Sequence, residues 1–258
     1  MKILLTGGCS FSQIKTGTNS KSKSDYTWPL FLQESLKIEK HYSDAVGGQG
    51  NDLISRQIVW KLSSLLKNYD ASDILVGIMW SSESRHSTLV RFDQRNDLDF
   101  NYGQPVLHND NTFYKSMKFY NPYTWDLTNC SHAGWGILRH DEPLGEMYVR
   151  NFYNHEQSQI IALEHILRVQ WLLKLHKIKY FMTTIKNIFE NMQGKNSMRH
   201  LYEEIDFDHF IPVDGEYEWV KNNGLTFADN QGHPTADSHK AFVDQVVMPF
   251  LKEKKYIQ

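Results

Sequence analysis

Apolar residues along this chain fall into two alternating patterns: short continuous runs, and longer stretches spaced for one face of a helix. Residues 2–6 form the first run and stop at Gly7-Gly8, as a buried strand ended by glycines does. Thr27-Trp28-Pro29 then opens a helix, with proline at the first helical position, where its missing N–H costs nothing. Leu30, Phe31, Leu32, Leu36 and Ile38 supply its apolar face. Residues 41–46 predict a second strand, ended by Gly47-Gly48. From Asn51 the helical period returns through Ile54, Ile58, Leu62, Leu65 and Leu66. Residues 73–79 (DILVGIM) are apolar on both faces, the mark of a strand inside a parallel sheet.

The rhythm breaks over residues 87–154, which are rich in Asn, Asp, Gly, Pro and aromatics. A structureless loop that long is uncommon in a compact domain, so the stretch predicts a folded insertion or lid. Helical spacing resumes through Ile160, Ile161, Leu163, Ile166, Leu167, Leu172, Leu173 and Leu175. Residues 178–185 read as a strand and 207–213 as a less apolar one. A last helix runs from His233-Pro234, with Phe242, Val243, Val246, Val247, Phe250 and Leu251 inward. Strands and helices in this order predict an α/β fold, a central parallel sheet with helices on both faces. Right-handed crossovers then put the strand C-termini on one edge, where ligands bind in such sheets.

Composition narrows the classes. At 258 residues and 40% hydrophobic, the chain can fill the core of one domain, residues 1–258, with the insertion as an elaboration. The formal charge is −2 and no basic stretch is dense, so no nucleic-acid partner is expected. No apolar run approaches the ~18 residues of a membrane span. MKILLTGG is too short for a secretory leader, and Cys9 with Cys130 makes no disulfide framework, so a cytoplasmic setting is expected. His132, His140 and His155 lack metal-ligand spacing, so neither a metal nor a cofactor is expected.

Three loops leave the C-terminal ends of the predicted strands, at residues 7–12, 47–52 and 80–85, and the turn before the last helix, 229–234, joins them. In Gly7-Gly8-Cys9-Ser10-Phe11-Ser12, a serine past a strand and at the start of a helix brings a hydroxyl and main-chain N–H groups to the active edge. The same residues also suit a glycine stop and a serine cap. Cys9 is a rival nucleophile, and no Gly-x-Ser-x-Gly elbow is present. In Asp229-Asn230-Gln231-Gly232-His233-Pro234, a histidine on a stiff turn has a carboxylate nearby, the pairing a general base requires.

Taken together, GCSFS, the glycine-and-asparagine loop after the second strand, and GHPTADSH resemble three of the four blocks of the SGNH (GDSL-like) hydrolases. The resemblance covers residues 1–85 and 155–254. It implies a flavodoxin-like three-layer α/β/α sandwich, Ser10 as nucleophile and His233 as its base, oriented by Asp229. It also implies an oxyanion hole built from the Ser10 N–H and from Gly47 or Gly48. The family's third-block asparagine is absent, Gly77-Ile78-Met79-Trp80 standing in its place, and Asn51, Ser81, Ser82 and Arg85 are candidates to replace it. The carboxylate lies four positions before His233 rather than three. Arg85, Trp80 and Ser81 would line the substrate side. Arg85 suits an anionic or sugar group, or alternatively an ion pair with Glu83. The expected activity is hydrolysis of a small acyl ester, with an O-acetylated carbohydrate favoured by the aromatic insertion. Acyl transfer to a sugar and a catalytically impaired glycan- or protein-binding module are the alternatives. Phe100, Tyr102, Phe113, Tyr114, Phe119, Tyr120, Tyr123, Trp125 and Trp135 supply either a sugar platform or the insertion's own core.

Overall fold

The computed structural model describes residues 1–14, 25–91, 119–120, 133–138, 143–190 and 192–257. A parallel four-stranded sheet has the order β2-β1-β3-β7, from β1 (Ile3–Gly7), β2 (Lys40–Ser43), β3 (Ile74–Trp80) and β7 (Lys179–Thr184). The register runs Ile3 to Lys40 and Ile74, and Leu75 to Lys179. The first strand is therefore central, the flavodoxin-like arrangement.

Side chains of β1 and β3 alternate between two cores because successive residues point to opposite faces. Ile3, Leu5, Val76 and Ile78 meet Ile54, Ile58 and Leu62 of α2 (Asn51–Leu65) and Leu163, Ile166 and Leu167 of α4 (His155–Leu175). Leu4, Leu75 and Met79 meet Trp28, Phe31 and Leu32 of α1 (Trp28–Leu36) and the C-terminal helices. The result is three layers, α/β/α. Each fully buried aliphatic side chain contributes roughly 1.5–3 kcal/mol.

Residues 87–154 do contain structure of their own. A separate antiparallel sheet of order β4-β6-β5 is formed by β4 (His86–Arg91), β5 (Phe119–Tyr120) and β6 (Ala133–Leu138), and is followed by α3 (Pro143–Asn151). Of the aromatics expected to matter there, Phe100, Tyr102, Phe113, Tyr114, Tyr123 and Trp125 lie outside the described residues, as do His132, His140 and Cys130.

Beyond β7 come α5 (Arg199–Glu204) and α6 (Glu216–Asn222). Several boundaries differ from the sequence reading, β2 ending at Ser43 rather than at residue 46. Residues 207–213 hold a 3-10 turn and a single parallel bridge from Phe210 to Met182 rather than a full strand. The last helix starts at α7 (Ala236–Phe242), capped by the Thr235 hydroxyl on the Ser238 N–H. His233-Pro234 precedes it, in a short antiparallel link to Phe227. The chain then passes through a π turn at Val243–Val247 into α8 (Met248–Glu253). Among the described residues, no helix is long and apolar enough to cross a membrane.

Candidate active site

Ser10 stands two residues beyond Gly8, at the first position of a 3-10 turn, Ser10–Ser12. The turn replaces the expected α-helix start, so no helix dipole aims at Ser10. Its first N–H groups still have no partner within the turn. The turn is anchored from below. Cys9 and Ser12 are fully buried, and the Ser12 hydroxyl accepts from the Trp28 indole N–H at 2.8 Å. The carboxamide N–H of buried Gln49 donates to the Gly8 carbonyl and to Gln57 Oε1.

His233 reaches this turn from the other end of the chain. Its Nε2 lies 2.8 Å from Ser10 Oγ, and its Nδ1 lies 2.7 Å from Asp229 Oδ2. With Nδ1–H donating to the carboxylate, Nε2 is left as the acceptor of the serine proton. Asp229 sits four residues back because the turn folds over it. Its Oδ1 accepts from the Gln231 N–H at 2.9 Å and the His233 N–H at 3.1 Å. Burial alone would raise this carboxyl, but the His233 main chain and ring and the Gln231 N–H hold it below its ordinary value. Gly232 permits the turn. It has φ +83°, and a methyl there would lie 2.6 Å from Tyr217 Cε2. Phe11 packs against the His233 ring with centroids 5.3 Å apart. Behind Phe11 lies a buried hydrogen bond between His239 Nδ1 and Glu216 Oε1 at 2.7 Å.

The second loop approaches Ser10 at Gly47. A methyl on Gly47 would stand 3.7 Å from Ser10 Cβ. The Gly47 N–H donates to Gln13 Oε1 at 3.1 Å, so a carboxamide oxygen already occupies it. Gly48, at φ +85°, turns the chain after it.

Three of the expected site residues are placed elsewhere in the chemistry. The Asn51 side chain is buried and clamped on the main chain of Ser81, accepting from its N–H at 2.8 Å and donating to its carbonyl at 3.1 Å. It ties two loops together instead of facing an oxyanion. Trp80 is fully buried in the sheet core, its indole N–H on Met182 Sδ at 3.3 Å, and so offers no surface to substrate. Ser81 is also fully buried. Arg85 does come to the edge. Its Nη1 donates to Cys9 Sγ and to Ser81 Oγ, both at 3.3 Å. Glu83, the alternative partner, instead meets the Ser82 hydroxyl at 3.3 Å and His155 at 3.8 Å. A methyl on Gly50 would collide with the Arg85 carbonyl, so glycine there lets the third loop close down.

Gln13, Phe11 and Gln49 are the site residues that the sequence reading passed over. The only sequence signal was Gln49 between Gly48 and Gly50, since a polar residue among glycines at a strand end marks a tight, hydrogen-bonded loop. Among the described residues, no group of three or more His, Cys, Asp or Glu side chains is placed to hold a metal ion. No protein-family model and no curated protein sequence matches this chain.

Proposed function

We propose that this protein is a serine esterase of SGNH type, acting on small acyl esters through an acyl-enzyme. The observation that carries the reading is the unbroken hydrogen-bonded line from Ser10 Oγ through His233 to Asp229, at 2.8 and 2.7 Å. Ser10 Oγ attacks the ester carbonyl carbon as His233 Nε2 takes its proton. The tetrahedral intermediate collapses, and the same proton passes to the departing alkoxide. Water then attacks the acyl-Ser10 ester with His233 again as base, releasing the acid and restoring the serine. Asp229 keeps Nδ1 protonated and steadies the imidazolium. The developing oxyanion would take the Ser10 N–H and, once Gln13 Oε1 leaves it, the Gly47 N–H. Acyl transfer differs only in that a sugar hydroxyl replaces water in the second half.

The Gln13 contact on Gly47 and the engagement of Asn51 by Ser81 favour a second reading, a catalytically impaired binding module on the same scaffold. A fluorophosphonate probe separates the two. Labelling of the wild-type protein that is lost in Ser10→Ala and in His233→Ala is the expected result for the esterase. A folded wild-type protein that stays unlabelled favours the binding module.

A further inference from the structure

Arg85 brings a positive charge to the edge of the Ser10 turn. Its Nη1 donates to Cys9 Sγ and to Ser81 Oγ, both at 3.3 Å, so its acceptors are a thiol and a hydroxyl on fully buried residues. Among the described residues no carboxylate pairs with it, and its Nε and Nη2 make no hydrogen bond. Glu83, two residues earlier, is turned to the Ser82 hydroxyl and His155. A partly buried guanidinium without a counter-charge carries an unrelieved desolvation cost. A carboxylate received on two parallel N–H groups removes that cost, in a geometry that suits arginine.

The guanidinium stands close to the reacting group and is held there. Cys9 Sγ separates the two, 3.3 Å from Arg85 Nη1 and 3.7 Å from Ser10 Oγ. The Arg85 main chain is fixed by its own N–H on the Ser82 carbonyl at 3.1 Å and by the close approach of Gly50, where a methyl would lie 2.2 Å from the Arg85 carbonyl oxygen. His86, the next residue, bonds Ser158 of α4 at 3.1 Å.

Arg85 and His233 therefore reach Ser10 from opposite helical layers. The Arg85 loop rests on the start of α2 and on α4, whereas His233 packs on Phe11, which belongs to the core shared with α1 and α7. The leaving oxygen of an ester must lie at His233 Nε2, which returns the proton to it. The acyl chain then extends away from the base, towards Arg85. About two to four carbons bridge the width of one thiol and place a terminal carboxylate on the guanidinium.

We infer that Arg85 is a specificity-determining residue that binds a carboxylate on the acyl group, making half-esters of short dicarboxylic acids the substrate class of this site. The role rests on the esterase reading, but the anion binding does not require catalysis. With monomethyl succinate, methanol leaves with the Ser10 proton, and water then releases succinate from the acyl-enzyme. The test compares this ester with methyl levulinate, a neutral molecule of nearly the same shape. In Ser10→Ala protein, calorimetric titration should show saturable binding of monomethyl succinate, weakened about ten- to hundredfold when Arg85→Met is added. In the active protein, methanol release followed by NMR should favour monomethyl succinate in kcat/KM. Arg85→Met should lower that preference about ten- to hundredfold, chiefly through KM, and Arg85→Lys should retain part of it. In the wild type itself, the preference should shrink as NaCl rises from about 0.05 M to about 0.5 M, which checks the charge without any substitution. If monomethyl succinate does not bind, or binds equally well with Arg85→Met, the assignment is overturned even where Ser10 reacts with fluorophosphonate. Equal losses on both esters would make Arg85 an oxyanion donor or a clamp of its loop, and would overturn the selectivity. An Arg85-dependent preference for O-acetylglycolate, whose charge lies on the alcohol, would overturn the acyl-side placement. If binding depends on Arg85 and Ser10 does not label, the anion site stands and the esterase reading falls.

Discussion

Ser10 and His233 lie within hydrogen-bond distance of each other, yet the two halves of the pair are held by different kinds of structure. The Ser10 half is a product of the core. Cys9 and Ser12 are 0% exposed, and the turn is tied to α1 through Trp28 and to the second loop through Gln49. The His233 half is a local device near the surface. The Asp229 side chain is 43% exposed and that of His233 27%, and the turn's own bonds lie within residues 226–238. Damage to the first half should therefore appear as lost stability, and damage to the second as lost reactivity in a protein that still folds.

Asp229→Asn is the sharpest probe of the second half. It keeps the shape of the turn but removes the charge that fixes the histidine tautomer. Acyl-ester turnover should fall about 10²–10⁴-fold while the thermal midpoint stays close to wild type. A large drop in midpoint would show that the turn is coupled to the core after all. Ser12→Ala is the counterpart on the Ser10 side. It strands the buried Trp28 indole N–H, and urea unfolding should report a loss of about 1–3 kcal/mol. The labelling rate per folded molecule should change far less than in Asp229→Asn.

Gln13→Ala tests how ready the two halves are to react. Freeing the Gly47 N–H should speed fluorophosphonate labelling about two- to tenfold, the worth of one neutral hydrogen bond. Slower labelling would instead make Gln13 part of the donor arrangement. Stability should also depend on pH. His41 on β2 bonds Thr6 Oγ1 of β1 at 2.8 Å, and burial holds its ring down at about 4 against an ordinary 6.5. His165 on α4 is lowered to about 4 as well, by burial first and then by neighbouring positive charge. Between those pH values the unfolded chain binds the protons that the folded chain refuses. Stability should therefore fall as pH drops from about 6.5 towards about 4. Asp229, with its carboxyl below the usual range, adds its loss only at still lower pH. Thermal midpoints across this window, with His41→Gln flattening part of the slope, provide the check.

The parallel sheet was legible in the sequence because its signal is local and repeated. ILLTG and ILVGIMW are apolar on both faces, and only burial between two helical layers accommodates that. The α2 and α4 faces could be read from their period for the same reason. The edges of elements were harder. Residues 207–213 carry strand-like side chains, but a 3-10 turn takes up Phe207–His209 and leaves one bridge. His233-Pro234 has the look of a helix start, yet the cap is Thr235.

The amino-acid pattern alone determined the layers and the sheet edge where the strand C-termini gather, and the resemblance to the SGNH hydrolases singled out Ser10, His233 and Asp229 there, because both rest on residue type and order along the chain. It did not determine which polar groups at that edge are already engaged. Asn51 and Arg85 looked equally able to face substrate, but Asn51 is turned to the Ser81 main chain while Arg85 stays beside Cys9. Trp80 extended the third strand into the core and left the edge. Gln13 took the Gly47 N–H across 34 positions of sequence. Such pairings are decided by hydrogen-bond competition between loops that only the folded sheet brings together, since a buried polar group must find a partner from whatever the tertiary structure places within reach.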